Sequence, residues 1–240
     1  GAIEPPRFLA RLAALWKARR HRESSGASAL PPRGRRPTGR RSALYLARPD
    51  LTQSHLLVGG ATLAYGHRLV PAASLATIVL GGGVSSRLWR DVREKRGLAY
   101  HVGTSLTLHK SAGLSLIEAA TAPKNLPKLV KTTGRVLARL LEDGVTRAEL
   151  SRAKDQVRAE VALSLESTVA RREAGARAWL YRGRPHEADE VIAEIDAVTG
   201  ADVLEACRLL FGDRKALALG VSGPDVKGPS VDELREELAA

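Results

Sequence analysis

Leu80 to Tyr100 reads LGGGVSSRLWRDVREKRGLAY, and the fold turns on how this stretch is taken. Three consecutive glycines, Gly81, Gly82 and Gly83, lower helix stability and permit positive φ and the close approach of bare N–H groups to a neighbour or a ligand. The spacing predicts a helix over 70–80 before them and another over 85–95 after them, with Ser85 or Ser86 as its cap. From the residues alone, the glycines read as well as a helix-to-helix turn as they do as a ligand-contacting loop. GGGVSSR carries neither the phosphate-loop pattern nor the dinucleotide-binding glycine spacing, so a phosphate cradle is not indicated.

Outward from this stretch the pattern is strand-like on both sides. Leu44–Ala47 and His55–Leu63 are rich in Leu, Val and Tyr around a Pro49-Asp50 turn, and Leu98–Leu108 and Gly113–Ala120 form a second pair across Lys110-Ser111-Ala112. The period then changes. Leu126, Leu129, Val130, Leu137, Leu140 and Leu141 repeat at helical spacing, as do Leu150, Ala153, Val157, Val161 and Leu165 behind a capping box at Thr146 and Glu149. Helices continue through Ile195 and over 201–210, and 216–221 reads as a late strand that returns to the first sheet. Strands first, helices next and one late strand indicate an α+β class, an antiparallel sheet packed against helices in two layers, and not alternating βαβ units.

The chain ends differ from this body. Residues 1–21 hold a short amphipathic helix with Phe8, Leu9, Leu12, Leu15 and Trp16 at helical spacing behind Pro6. Residues 22–42 are Ser, Gly, Pro and Arg with almost nothing apolar, a basic linker; 43–224 is the folded domain and 225–240 a polar tail. Of the 38 Lys and Arg, 11 lie within residues 1–42 against two acidic residues, a net +9, whereas the rest of the chain carries only +3 of the total +12. A basic arm for nucleic acid is thereby set against a solvated linker, and the linker is the reading taken; nucleic acid is not expected as a partner. No run approaches the roughly 18 apolar residues of a membrane span. The opening residues lack the charged and apolar regions of a secretory signal, and the compartment, cytoplasmic or periplasmic, stays open. Cys207, the single cysteine, excludes an intramolecular disulfide and sits in apolar sequence as a buried thiol.

The run over 80–100 resembles the C-terminal halves of the pitrilysin, insulysin and mitochondrial processing peptidase family, the inverzincins, where a glycine-rich turn, a Ser-Arg-Leu helix start and an Arg-Glu-Lys-Arg-Gly-Leu-Ala-Tyr run recur. Gln53 before the second strand, Glu142-Asp143-Gly144-Val145-Thr146 leading into Glu149-Leu150 and Ala153-Lys154, and Leu165-Glu166-Ser167 extend the likeness over about Arg41 to Pro224. The resemblance implies that residues 1–40 are the end of a preceding half and a linker. It also implies that Arg93 and Tyr100, with Gly81, Gly82 and Gly83, contact the main chain of a peptide substrate near the scissile bond. Chemically the types suit the task, since a guanidinium is a rigid donor fork and a phenol an adjustable donor. The alternatives are an Arg93–carboxylate pair and a Tyr100 that caps a strand edge; Arg87, Glu94, Lys95 and Arg96 read as helix pairs and solvated charges.

The zinc chemistry of that family needs H-x-x-E-H, two imidazoles one helical turn apart with a glutamate as general base. The six histidines, His21, His55, His67, His101, His109 and His186, never fall three or four residues apart. His101 and His109 with Glu118 converge at best as ordinary polar groups on a sheet face. No catalytic and no metal residue is therefore assigned; this chain alone is expected to be inactive, without a cofactor of its own, and zinc is expected in a partner half. The implied function is the non-catalytic half of a zinc metallopeptidase, which walls the substrate chamber and binds the peptide while the H-x-x-E-H half, on the same polypeptide or a separate subunit, hydrolyses it. The alternative is a structural or assembly subunit of the same fold.

Overall fold

The computed structural model describes residues 4–23, 42–224 and 228–240, and the linker expected over 22–42 lies almost wholly outside the described residues. Two units divide the chain, Gly1–Arg36 and Pro37–Ala240. In the first, helix α1 spans Pro5–Glu23, opening on two prolines whose missing N–H groups cost least in a first turn. Its apolar side chains Phe8, Leu9, Leu12, Leu15 and Trp16 are all exposed.

The second unit is a sheet with helices on one face. Strands β1 (Ala43–Ala47), β2 (Ser54–Thr62), β3 (Ala99–Leu108), β4 (Gly113–Thr121) and β5 (Ala218–Gly223) lie in the order β1-β5-β2-β4-β3. The expected hairpin is β3–β4, and the late strand β5 does return to the first sheet, between β1 and β2. All pairings are antiparallel except β1 with β5, so the sheet is antiparallel apart from one edge pair. Period-2 alternation buries Leu56, Val58, Ile117, Ala119, Leu219 and Val221 on the helix side. His55, Leu57 and Glu118 point the other way and are exposed.

Helices α2 (Val70–Gly81), α3 (Leu126–Asp143), α4 (Arg147–Glu166), α5 (Thr168–Arg182), α6 (Ala188–Asp196), α7 (Gly200–Phe211) and α8 (Val231–Ala239) make the second layer. Helix α2 is apolar nearly all round and sits centrally, as a helix buried on most faces must. The amphipathic α3 buries Leu126, Leu129, Val130, Val136, Leu137 and Leu140. The capping boxes of α4, α7 and α8 are formed by Thr146–Glu149, Thr199–Asp202 and Ser230–Glu233. Cys207 is fully buried on α7, and desolvation pushes its thiol up to about 12.

Two local expectations are corrected. No continuous helix runs over 85–95: residues 82–86 are turn and bend, Arg87 and Leu88 start the helix, and Trp89–Glu94 form a π turn. The cause is at both ends, for Gly83 takes φ +154° and the exit closes on wide bonds, Lys95 N to Arg90 O at 3.0 Å and Leu98 N to Val92 O at 2.9 Å. Second, the segment read as a polar tail contains α8, whose Leu234 and Leu238 are buried, and a Cβ on Gly134 of α3 would meet the Leu238 carbonyl at 2.6 Å. Two buried leucines four apart, with Val231 beside them and five charged residues on the other faces, suffice to seat a single-faced helix. Leu238→Ala should therefore destabilise the domain by about 2–5 kcal/mol, as truncation of a fully buried leucine does. Urea unfolding checks this, and a loss below about 0.5 kcal/mol would mean that α8 is peripheral.

Candidate functional site

The segment from Gly81 to Tyr100 is built by three elements, the end of α2, the π turn and the start of β3. Its glycines are used differently. Gly81 is buried, and a Cβ there would meet Thr104 of β3 at 2.7 Å, so its lack of a side chain lets α2 lie directly on the strand. Thr104 fastens this contact by donating its hydroxyl to Thr77 O at 2.7 Å. Gly82 donates its N–H to Ile78 O and its carbonyl accepts from Gln156 Nε2 at 3.0 Å. Only Gly83 of the three is exposed. Sequence reasoning left turn and ligand contact open, and for Gly81 and Gly82 the geometry is that of packing and turn.

Arg93 and Tyr100 are brought together. The Arg93 guanidinium lies 4.1 Å from the Trp89 ring centroid and 4.6 Å from that of Tyr100. It is stacked between two aromatic faces, an arrangement worth about 0.5–1 kcal/mol per ring at exposed sites. Among the described residues no carboxylate lies within ion-pair distance of Arg93, so its N–H edge is not neutralised. Tyr100 is 76% exposed at the head of β3, the free edge of the sheet, beside the irregular register between Ala99 and His101. Neither alternative, a carboxylate pair at Arg93 or a merely edge-capping Tyr100, describes this stack. Trp89 was not singled out by sequence; its spacing of four from Arg93 was the only signal available.

The charges around the stack are spent elsewhere. Asp91, nearly buried, receives Lys95 Nζ at 2.9 Å and the guanidinium of Arg139 on α3, with Arg96 Nη1 donating to its backbone carbonyl at 2.7 Å. Burial opposes ionisation of Asp91, but these cationic hydrogen bonds outweigh it and hold the carboxyl below its ordinary value. Arg87, read from sequence as a solvated charge, is instead half-buried. Its Nε and Nη2 donate to the two carboxylate oxygens of Glu149, both at 2.8 Å, and Nη2 also donates to Gly144 O at 2.7 Å. Burial again opposes ionisation at Glu149, and Arg87 with the Thr146 N–H overcomes it, leaving the carboxyl at about 2.

Of the histidine set, His101 and Glu118 do meet, Nε2 to Oε1 at 3.8 Å, over Gly103 on the open sheet face. His109 lies at the far end of β3, where its backbone closes the hairpin with Ala112. Among the described residues no group of three or more His, Cys, Asp or Glu can hold a metal ion. The donors among the described residues do not fit a zinc ion.

The chain is similar to known proteins along most of its length. The description "Peptidase M16 inactive domain" matches residues 8–157. An "uncharacterized zinc protease YmxG" of Bacillus subtilis is 36% identical over 170 residues, covering 71% of this chain and 42% of that protein. An uncharacterized zinc protease of Mycobacterium bovis is 35% identical over 201 residues, covering 80% of this chain and 45% of its own length. Among solved structures, a peptidase M16 inactive domain from Pseudomonas fluorescens superposes with a TM-score of 0.69 at 24% identity over 80% of this chain and 45% of that one. A chain of complex III2 from Candida albicans gives 0.71 at 18% identity, over 82% and 49%. The chain belongs to the peptidase M16 inactive-domain family, the metal-free C-terminal half of the pitrilysin-type fold. It spans less than half the length of the curated relatives it matches. No helix among the described residues is long and apolar enough to cross a membrane.

Because Glu149 titrates at about 2 in the fold and near 4.5 when free, its contribution to stability is complete above the higher value and is lost as pH falls toward the lower. Glu149→Gln should abolish that part of the acid sensitivity, and Arg87→Ala should cost about 3 kcal/mol by leaving the carboxylate unpaired. Melting temperatures between pH 6 and pH 2 measure both. An Arg87→Ala variant as stable as the parent would show the pair to be idle.

Proposed function

We propose that this chain is the substrate-holding, non-catalytic half of a zinc metallopeptidase, which encloses the peptide and hydrogen-bonds its main chain through Arg93 and Tyr100 while a partner half bearing H-x-x-E-H cleaves it. The carrying observation is the Arg93 guanidinium, stacked on Trp89 and Tyr100 yet without a carboxylate partner among the described residues. A cation left with a free donor edge at a strand head can serve carbonyl oxygens and the negative charge that develops on them. Tyr100, exposed beside it, adds a second donor. Gly83 is the exposed member of the glycine turn, and its backbone is the part of Gly81–Gly83 available to a peptide. That the relatives are called zinc proteases and are more than twice as long as the part matched here supports a partner half that supplies zinc, on the same polypeptide or as a second subunit. The zinc, when bound there, activates water; the residues of this chain bind and orient the peptide.

With the chain assembled with its zinc half, Arg93→Ala and Tyr100→Phe should each lower peptide turnover roughly 10- to 1,000-fold, the loss typical of one transition-state hydrogen bond. The fold should survive, since removing a surface stack on two rings shifts Tm by no more than about 8 °C. Parental turnover in both variants of an active complex removes the site and leaves a structural or assembly subunit as the surviving reading.

A further inference from the structure

We infer that Trp89 is a positioning residue for Arg93: its half-buried ring is the fixed plate against which the guanidinium is held flat, so that the donor edge faces the peptide. This rests on the function proposed for Arg93 and goes beyond it. Three observations carry it. Trp89 is packed against the hydrophobic core, whereas Tyr100, the other plate, is 76% exposed and has little to hold it. Trp89 is also the nearer ring, 4.1 Å against 4.6 Å. Finally, Trp89 opens the π turn, whose exit bonds, Gly97 N to Arg93 O at 3.0 Å and Leu98 N to Val92 O at 2.9 Å, bend the chain so that Tyr100 comes back over the same guanidinium. Single π turns recur at functional sites, where the wider winding re-aims a side chain. Asp91, two residues from Trp89 in the same turn, draws Lys95, Arg96 and Arg139 to itself, so none of the three competes for the Trp89 ring. A guanidinium held over ring faces keeps its N–H donors, which lie in its own plane, free of an acceptor, which a carboxylate partner would not allow.

The test is a cycle of Trp89→Leu, Arg93→Ala and the double variant in the chain assembled with its zinc half, with Trp89→Phe as the conservative control. Trp89→Leu should cut turnover by up to about 100-fold, the cost of misplacing a reacting contact, and do nothing further in the Arg93→Ala background. Trp89→Phe, which keeps a ring face, should restore most of the loss. In the 15N-labelled chain alone, the Arg93 Nε–H proton should lie upfield of the other arginines through ring currents and move toward the common position in Trp89→Leu, the remainder of the shift coming from Tyr100. If Arg93→Ala lowers turnover and Trp89→Leu does not, the positioning role falls and the proposed function stands. Equal losses from Trp89→Leu with and without Arg93 would mean ordinary structural damage and also overturn it. An inert Arg93→Ala removes both, and an Arg93 proton at the common position removes the stack.

Discussion

One largely buried ion pair ties the segment from Arg87 to Tyr100 to the rest of the domain. Arg87 stands where the chain leaves the glycine turn, and its guanidinium is shared among both oxygens of Glu149 and the carbonyl of Gly144. Glu149 at the same time closes the capping box of α4 by accepting from Thr146 N at 2.8 Å, and Gly144, at φ +68°, ends α3. Thus the end of one helix, the start of the next and the entry to the π turn meet at two side chains 62 residues apart. Such a pair adds little net stability compared with an apolar contact, but breaking one side of it is costly, which makes the arrangement specific. Everything from Leu88 to Tyr100 is aimed from this anchor.

Asp91 then divides the local charge. The turn carries Arg90, Arg93, Lys95 and Arg96 within seven residues, and left to themselves these cations would repel and splay. A nearly buried carboxylate that collects Lys95, Arg96 and Arg139 ties the turn to α3 and removes three cations from competition. Arg93, on the aromatic side, is left with quadrupoles in place of a counter-ion. A quadrupole fixes the plane of a guanidinium without occupying its hydrogen-bonding edge, so the two kinds of partner divide anchoring from recognition.

How far the sequence goes follows from whether the deciding interaction is local. The β3–β4 hairpin, the helical period of α3 and the Thr146–Glu149 box depend on residues close in the chain, and each was legible. The parallel pairing of β1 with β5 links Ala43 to Leu219, and no local pattern specifies the direction of a strand that arrives so late. The π turn escaped for another reason: WRDVRE is good helix sequence, and only the bonds from Lys95 N to Arg90 O and from Leu98 N to Val92 O show that the winding is wider. At the site, Arg93 and Tyr100 were legible from the resemblance alone, since seven residues between a turn and a strand do not by spacing imply contact. Arg87 was misread because its partner lies across the fold, and Trp89 because an aromatic four residues from an arginine is common on helix surfaces.

Packing at Gly81 bears on the same stack. Gly81 is needed so that α2 can rest on Thr104, and this close approach sets the height of β3 above the helix layer. The height of β3 in turn sets where Tyr100 emerges relative to the π turn, and so whether its ring can cover Arg93. A side chain at Gly81 would displace the strand and open the stack without touching Arg93, Tyr100 or Trp89. The fold by itself is shared with a chain of complex III2 from Candida albicans and settles nothing about activity. Packing from Gly81 to Arg87 thus supports the Arg93 stack from outside it.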